Sequence, residues 1–558
     1  MSNDPTPRGH RTLVVLLVLA LVLRTIWWVS YVDVIENEGV EYARLAWNWF
    51  HGRGYVSIFG GTHTLFPPLY PLLIGLTAPL AGSEEAAARL ISLLGGLALV
   101  GAGYLVARRT FGDRVALLAG ALLAFHPVLI ALSVSTYSEG IYLGLALTGT
   151  LAIQHAVNRE SWLAAMLAGF LGGCAYLARP EGLVLSFGFG AAILAGLIIS
   201  RRRVRRAAGY ALATVLAAGV VGAPYMWHLS RIAGAFRWEG KSTVNNRMSL
   251  MMDQGMSLRQ AGRGLGPNGE VRGVFLFQDQ HALLGEASGS AKGLLRSLTE
   301  DPIERFRAVI QPLLQARYLG SPLLIPLVVA GLVLTGWWKQ RAPESLAALV
   351  LPAVSLAVLL AVRTNLSRYY FALLGTGLIW AAAGTERLAR AAAGVTGRRG
   401  WSPARQHALT LALAGGVLSG LLLQSGRYLV PNVTEISQTT VRDVRLAGEL
   451  IRADAARRMP PVDRPLIATV GLAVAHYAGG EVVYLPYADE ALSLSFLRHR
   501  SPQYLSLQLN LVGSVPYMDQ WIERGPASCA EPLDGPEAAA LRDVRVWRWT
   551  CAPVDSLP

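Results

Sequence analysis

Apolar runs of about 20 residues, long enough to cross a bilayer, recur along most of the chain. They predict spans over about Thr12–Tyr31, Arg89–Val106, Val115–Ser133, Gly140–Val157, Ser161–Leu177, Leu183–Ser200, Gly209–His228, Ser321–Trp338, Leu346–Val362, Tyr370–Leu388 and His407–Leu423. That is roughly eleven transmembrane helices. Three stretches break the pattern. Residues 32–88 hold a Glu-rich turn, an amphipathic segment and an apolar, Pro-rich piece, Phe66–Gly82, read as interfacial or re-entrant. Residues 229–320 are polar with no convincing span. From Gly426 to Pro558 soluble patterns take over: an amphipathic helix at Val441–Arg457, strands at Leu466–Val470, Val482–Leu485 and Val544–Trp549, and helices at Leu472–Tyr477 and Glu490–Leu497. The expected fold is therefore a polytopic α-helical membrane module, residues 1–425, followed by a small extracytoplasmic α/β domain, residues 426–558.

Composition agrees with a membrane protein. Of 558 residues, 53% are hydrophobic. The net charge of +14 invites a nucleic-acid reading, but many basic residues cluster in short loops between spans. Arg201–Arg206 is the densest such cluster. The positive-inside rule accounts for this without a nucleic-acid partner. It places the N-terminus in the cytoplasm and the loops of Glu38, Glu139 and Glu181 outside, which requires that Phe66–Gly82 not cross. Leu13–Tyr31 is too long for a cleaved signal and reads as a retained first span. No internal repeat is seen, which disfavours inverted-repeat transporters. Cys529 and Cys551 both lie in the outer tail, where an oxidising compartment permits a disulfide; two unpaired thiols are the alternative. Cys174 lies within a span as a small core residue.

Candidate chemistry concentrates between Asp33 and Pro71. Helical spacing puts Glu38, Tyr42, Leu45 and Trp49 on one face of an interfacial helix. Glu38 in the first turn suits a helix-dipole acid as well as a functional carboxylate. Glu139 after Ser138 reads either as part of an N-terminal cap or as a second carboxylate at the same cavity. Cations that could meet a phosphate are Arg179, Arg368, Arg363, Arg237 and Lys241; each could instead snorkel to headgroups. His126-Pro127 reads as a kink. A divalent metal between Glu38 and Glu139 stays open, although His63, His126 and His228 are scattered and no dense cluster supports one. Asn365-Leu-Ser367 and Asn432-Val-Thr434 match the N-glycosylation pattern, but the Ala-, Arg- and Gly-rich usage is bacterial and both are set aside.

Acid-x-x-x-Tyr-x-x-Leu-Ala from Glu38, then Gly52-x-Gly-Tyr55, then Pro67-Pro-x-Tyr-Pro71, resembles the first outer loop of GT-C membrane glycosyltransferases. The branch is that of protein O-mannosyltransferases and aminoarabinose lipid A transferases. Ser138-Glu139, Ala175-Tyr-Leu-Ala-Arg179-Pro-Glu-Gly182, Gly234-Ala-Phe-Arg237-Trp-Glu-Gly-Lys241 and Ser367-Arg368-Tyr369-Tyr370 resemble further motifs in the same order, so the resemblance spans the chain. It implies an inverting transfer of a sugar from a polyprenyl-phosphate carrier to an acceptor outside the bacterial inner membrane. Glu38 and Glu139 would be the catalytic carboxylates. Arg179, Arg368, Lys241, Arg237 and Tyr42 would hold the lipid-phosphate donor. One departure is that the family has Asp, often Asp-Glu, where this chain has Glu38-Gly39, so Glu36 and Asp33 are alternative acids. A transporter or flippase is the competing reading, and a scaffold whose tail recruits partners is a third. Sugar and acceptor stay open.

Overall fold

The computed structural model describes residues 7–30, 34–279, 283, 302–314, 321–361, 367–397, 401–433, 438–526 and 529–554. Every predicted span falls on a helix. These are α1 (Pro7–Ser30), α4 (Glu84–Phe111), α5 and α6 (Asp113–Phe125, Pro127–Leu132), α7 (Glu139–Arg159), α8 (Trp162–Ala178), α9 (Glu181–Ile199) and α10 (Val204–Ala233). After helices α11 (Lys241–Asp253), α12 (Leu258–Arg263) and α13 (Pro302–Leu314) come α14 (Leu324–Leu334), α15 (Trp337–Gln340), α16 (Ala342–Ala361), α17 (Phe371–Gly397) and α18 (Pro403–Val433). Among the described residues, seven of these helices are long and apolar enough to cross a membrane; α8, α14 and others are shorter. Between α1 and α4 lie α2 (Asn37–Phe50) and α3 (Leu69–Ala81). With 13 residues, α3 spans only about 20 Å, short of a crossing.

The bundle packs through small residues. A Cβ on Gly95 of α4 would lie 2.5 Å from the Gly140 carbonyl oxygen of α7, and one on Gly144 2.7 Å from Gly95 O. Glycine there lets the two backbones touch, which is how helices associate where lipid supplies no hydrophobic drive. Leu99, Leu123, Leu147, Phe189 and Trp380 fill the core around them. The His126-Pro127 break does split the third predicted span. Pro127 has no N–H for the Leu123 carbonyl. The buried Arg24 guanidinium of α1 donates there instead, to Leu123 O (3.2 Å) and Ala124 O (3.0 Å). That accounts for an arginine inside an otherwise apolar span.

The C-terminal unit holds five strands: β1 (Leu466–Thr469), β2 (Glu481–Tyr484), β3 (Tyr504–Gln508), β4 (Ala530–Pro532) and β5 (Val544–Trp549). Their order is β2-β1-β3-β5-β4. β1 runs parallel to β2 and β3, with Ile467 opposite Val482 and Tyr504. β5 runs antiparallel to β3 and β4, with Val546 opposite Ser506. Helices α19 (Gln438–Arg457) and α20 (Ala473–Ala478) cover one face; α21 (Glu490–Arg500) and α22 (Met518–Arg524) cover the other. A disulfide joins Cys529 to Cys551 across the β4–β5 edge. Cys174 is half-buried in α8.

This unit does not stand apart from the membrane module. Ile35, Val40, Ala43, Ile58 and Phe59 of the α1–α4 connection share one core with Val444, Ile451, Ile467, Val474 and Val482. The exposed edge of β2 is closed by the same loop, since Val482 N–H donates to Ile58 O at 3.0 Å. A covered edge cannot template foreign strands. On the opposite face, Leu276, which follows α12, packs with Leu497, Leu505 and Trp521.

Candidate active site

Helix α2 begins at Asn37 because Glu36 is extended, at φ −68° and ψ 154°. The three residues before Glu38 are each tied down. Ile35 N–H donates to the Tyr477 hydroxyl at 3.3 Å. The Glu36 carboxylate accepts from Thr136 N–H at 3.1 Å and from the Thr136 hydroxyl. The Asn37 carboxamide oxygen accepts from Leu472 N–H at 3.1 Å. Gly39 lets Thr136 close on the helix: a Cβ there would lie 1.8 Å from the Thr136 hydroxyl oxygen. That contact explains glycine where the resembling family carries a second acid. Glu38 is half-buried in the first turn so fixed.

The other acids of this stretch have structural partners. Burial raises the Glu36 carboxyl above its ordinary range, opposed by Arg89 and Thr136. Glu41 accepts from the Ser57 hydroxyl and from Ile58 N–H, both at 3.2 Å, and burial pushes it up to about 7. Asp33 lies outside the described residues.

Tyr42, one turn on from Glu38, hydrogen-bonds Ser138 Oγ at 3.1 Å and packs edge-on against Tyr70. Burial raises its phenol, and the charges of Glu38 and Glu139 push it further. Tyr42 therefore lies within electrostatic reach of both carboxylates. His63 is also close: burial drives its imidazole down to about 3 against the pull of Glu38. It is a neutral ring whose Nε2 accepts from Phe66 N–H at 3.0 Å.

Glu139 opens α7, and its carboxylate meets the Arg179 guanidinium at 2.6 Å with both side chains about 5% exposed or less. Arg179 stands between α8 and α9, where the following Pro180 disfavours helical backbone. It is accordingly extended, at φ −150° and ψ 138°, which turns the side chain in from the helix end. A second carboxylate, Glu181, lies 3.2 Å away on its other nitrogen. Burial pulls the guanidinium down, but Glu139 and Glu181 outweigh it and hold it charged. The triad lines an open cleft with Tyr142, Ser355 and Tyr369.

Lys241, the first residue of α11, lies beside Tyr369 of this cleft. Its ammonium sits 5.6 Å from the Tyr369 ring and 5.8 Å from Phe66. Arg179 lies 5.8 Å from the same Tyr369 ring, so the tyrosine spaces two cations. Among the described residues Lys241 forms no ion pair, although Glu181 feels its charge. Glu239 caps α11 by accepting from Ser242 N–H at 2.9 Å. Arg368 lies in the single turn Ser367–Tyr370 beside Tyr369; its side chain and all of Arg363 fall outside the described residues. Arg237 lies in the α10–α11 link, where its backbone is clasped by Ser230. No group of three His, Cys, Asp or Glu side chains able to hold a metal is found among the described residues. At Glu139 the counter-charge is Arg179.

The structure thus brings Glu38, Tyr42, Glu139, Arg179 and Lys241 together at one end of the bundle. Glu181 and Tyr369 were missed as site residues. Both sit beside predicted ones, in Arg179-Pro-Glu181 and Arg368-Tyr369, and that adjacency was the available signal.

Comparison with known proteins agrees with this picture. Residues 66–227 match the family described as dolichyl-phosphate-mannose-protein mannosyltransferase. The oligosaccharyltransferase of Archaeoglobus fulgidus superposes with a TM-score of 0.59 at 13% identity, over 90% of this chain and 70% of that one. ArnT from Cupriavidus metallidurans, bound to undecaprenyl phosphate, superposes with a TM-score of 0.54 at 15% identity, over 96% of this chain and 97% of that one. The fold is that of the GT-C membrane glycosyltransferases. The resemblance seen in the sequence is borne out. No curated protein matches by sequence.

Proposed function

We propose that this multi-pass membrane protein transfers a sugar from a polyprenyl-phosphate carrier to an acceptor hydroxyl on the outer face of a bacterial inner membrane. The N-terminus would be cytoplasmic and residues 426–558 extracytoplasmic, as the arginine-rich loops require. The observation that carries the reading is the Glu139–Arg179–Glu181 triad in a cleft with Tyr369, beside which Lys241 lies, and with Tyr42 within electrostatic reach of both Glu38 and Glu139. The undecaprenyl phosphate held by ArnT supports the same donor class.

Each group then has a part. Glu38 takes the proton of the acceptor hydroxyl as its oxygen bonds to the anomeric carbon. The bond from that carbon to the phosphate oxygen breaks, and its electron pair leaves with the lipid phosphate. A phosphate leaves without a protonating acid. One displacement on the face opposite the phosphate inverts the anomeric centre. Arg179 already faces two carboxylates, and the triad sums to one negative charge. Its part is to fix Glu139 and Glu181 at the cleft and to give the phosphate a share of one fork. Lys241, with Arg368 and Arg237, meets the charge that develops on the departing phosphate.

The test is release of free polyprenyl phosphate by purified protein in detergent. Short-chain polyprenyl-phosphate sugars are offered as a panel, with crude envelope extract as acceptor. Wild type releases it, and Glu38→Gln is expected to be slower by about 10²–10⁴-fold. Equal release by both would move the acid elsewhere. Failure of every donor in the panel to release polyprenyl phosphate would refute sugar transfer and favour transport.

A further inference from the structure

Beside the shared apolar core, which takes in Ile35 and Val40, the C-terminal unit reaches the turn that carries Glu38 through two polar contacts. The Tyr477 hydroxyl of α20 accepts Ile35 N–H at 3.3 Å and donates to Glu85 Oε2 of α4 at 3.0 Å. Glu85 is itself held by Arg89 at 3.0 Å and by Arg445 of α19 at 3.5 Å. Arg89 donates onward to Val134 O at 2.9 Å. Val134 belongs to the link between α6 and α7, whose Thr136 donates to the Glu36 carboxylate and which ends at Ser138, next to Glu139 at the start of α7. The second contact is Leu472 N–H on the Asn37 side chain.

One hydroxyl therefore locks three bodies together: the C-terminal unit, the membrane helix α4 and the backbone three residues ahead of Glu38. Both carboxylates of the site sit at helix starts whose entering backbones are fixed by the same chain of bonds. A phenol suits this task, because it donates and accepts at once. We infer that Tyr477, seconded by the Asn37–Leu472 contact, is a positioning residue for Glu38, and that the C-terminal unit acts in the reaction by setting the first turn of α2. This rests on the reading of Glu38 given above.

Tyr477→Phe keeps the ring under Arg445, which lies 5.3 Å from its centroid, and removes only the hydroxyl. Asn37→Ala removes the second contact from an exposed side chain. The assay uses the full-length protein and whichever polyprenyl-phosphate sugar wild type turns over. A transition-state group held less well lowers kcat and spares donor KM. Each variant is expected to lower kcat by about ten-fold, the worth of one hydrogen bond, with donor KM unchanged and the protein still folded at the assay temperature. If Tyr477→Phe fails to fold, Asn37→Ala decides alone, since its side chain leaves the core untouched. Unchanged kcat, or a rise in KM without a fall in kcat, overturns the inference when Glu38→Gln is inactive. An active Glu38→Gln removes the base assignment itself, and this inference with it.

Discussion

Glu41→Gln should make the protein more stable above neutral pH and leave it nearly unchanged in acid. The Glu41 carboxyl is 5% exposed, between α2 and the Ser57-Ile58 turn. Burial lifts it from an ordinary value near 4.5 to about 7, against the two hydrogen bonds and Arg44, which favour the charge. The folded protein thus holds this proton more tightly than the unfolded chain does. The stability that proton confers is complete below about pH 4.5 and is lost as pH rises through about 7. The gap corresponds to about 3 kcal/mol as an order of magnitude. The loss falls where the outer loop meets the C-terminal unit, because Ile58 O accepts Val482 N–H and Arg44 donates to Gly480 O at 2.7 Å. Glutamine stays neutral and its oxygen still accepts from Ile58 N–H. Thermal melting in detergent from pH 5 to 9, both proteins side by side, reads the difference and cancels every other titrating group. Wild type should lose stability relative to the variant from about pH 4.5 to about 7 and keep a constant deficit above that. Parallel pH profiles, or a variant that melts lower at every pH, would refute the reasoning.

Two further predictions are sharper in chemistry than in magnitude. Lys241→Ala should weaken donor use by about 10- to 100-fold in kcat/KM, the range for losing a charge-assisted contact, whereas Lys241→Arg retains most of it; the polyprenyl-phosphate release assay checks both. Gly39→Ala should destabilise by about 1–3 kcal/mol despite the better helix propensity of alanine, because the new methyl meets Thr136; melting temperature reads it directly.

The membrane half was legible because a bilayer leaves a chain few options. Each apolar run had to satisfy its own backbone, so hydropathy alone located the helices. The break at His126-Pro127 followed from the missing N–H. What periodicity could not rank was the acids of the first outer loop. Glu36, Glu38 and Glu41 look alike in sequence, and only their distant partners, Thr136 for one and Ser57 with Ile58 for another, tell them apart. The Glu139–Arg179 pair was hidden for the same reason, since forty residues separate its members and each read plausibly alone. In the tail, β3 was legible in the alternation of Leu505 and Leu507 with Ser506 and Gln508 and was passed over; what that pattern hides is that all five residues are buried, the polar ones included. β4 is only three residues, Ala530–Pro532, and carries no pattern at all.

The shared core changes how the C-terminal unit can be studied. A scaffold reading would be tested by deleting the tail and asking whether function is lost. Deletion would strip Ile35, Val40, Ala43, Ile58 and Phe59 of their apolar partners and leave the Ile58 carbonyl and the Arg44 guanidinium without theirs. The first turn of α2 would lose Tyr477 and Leu472 in the same step. Loss of activity would follow whether the unit recruits a partner, covers the cleft or only holds Glu38 in place, so truncation separates none of these. Single side chains at the junction do separate them. Removal of the Tyr477 hydroxyl leaves the apolar core and the outer surface as they were, and a fall in kcat from that change alone belongs to the geometry of the site.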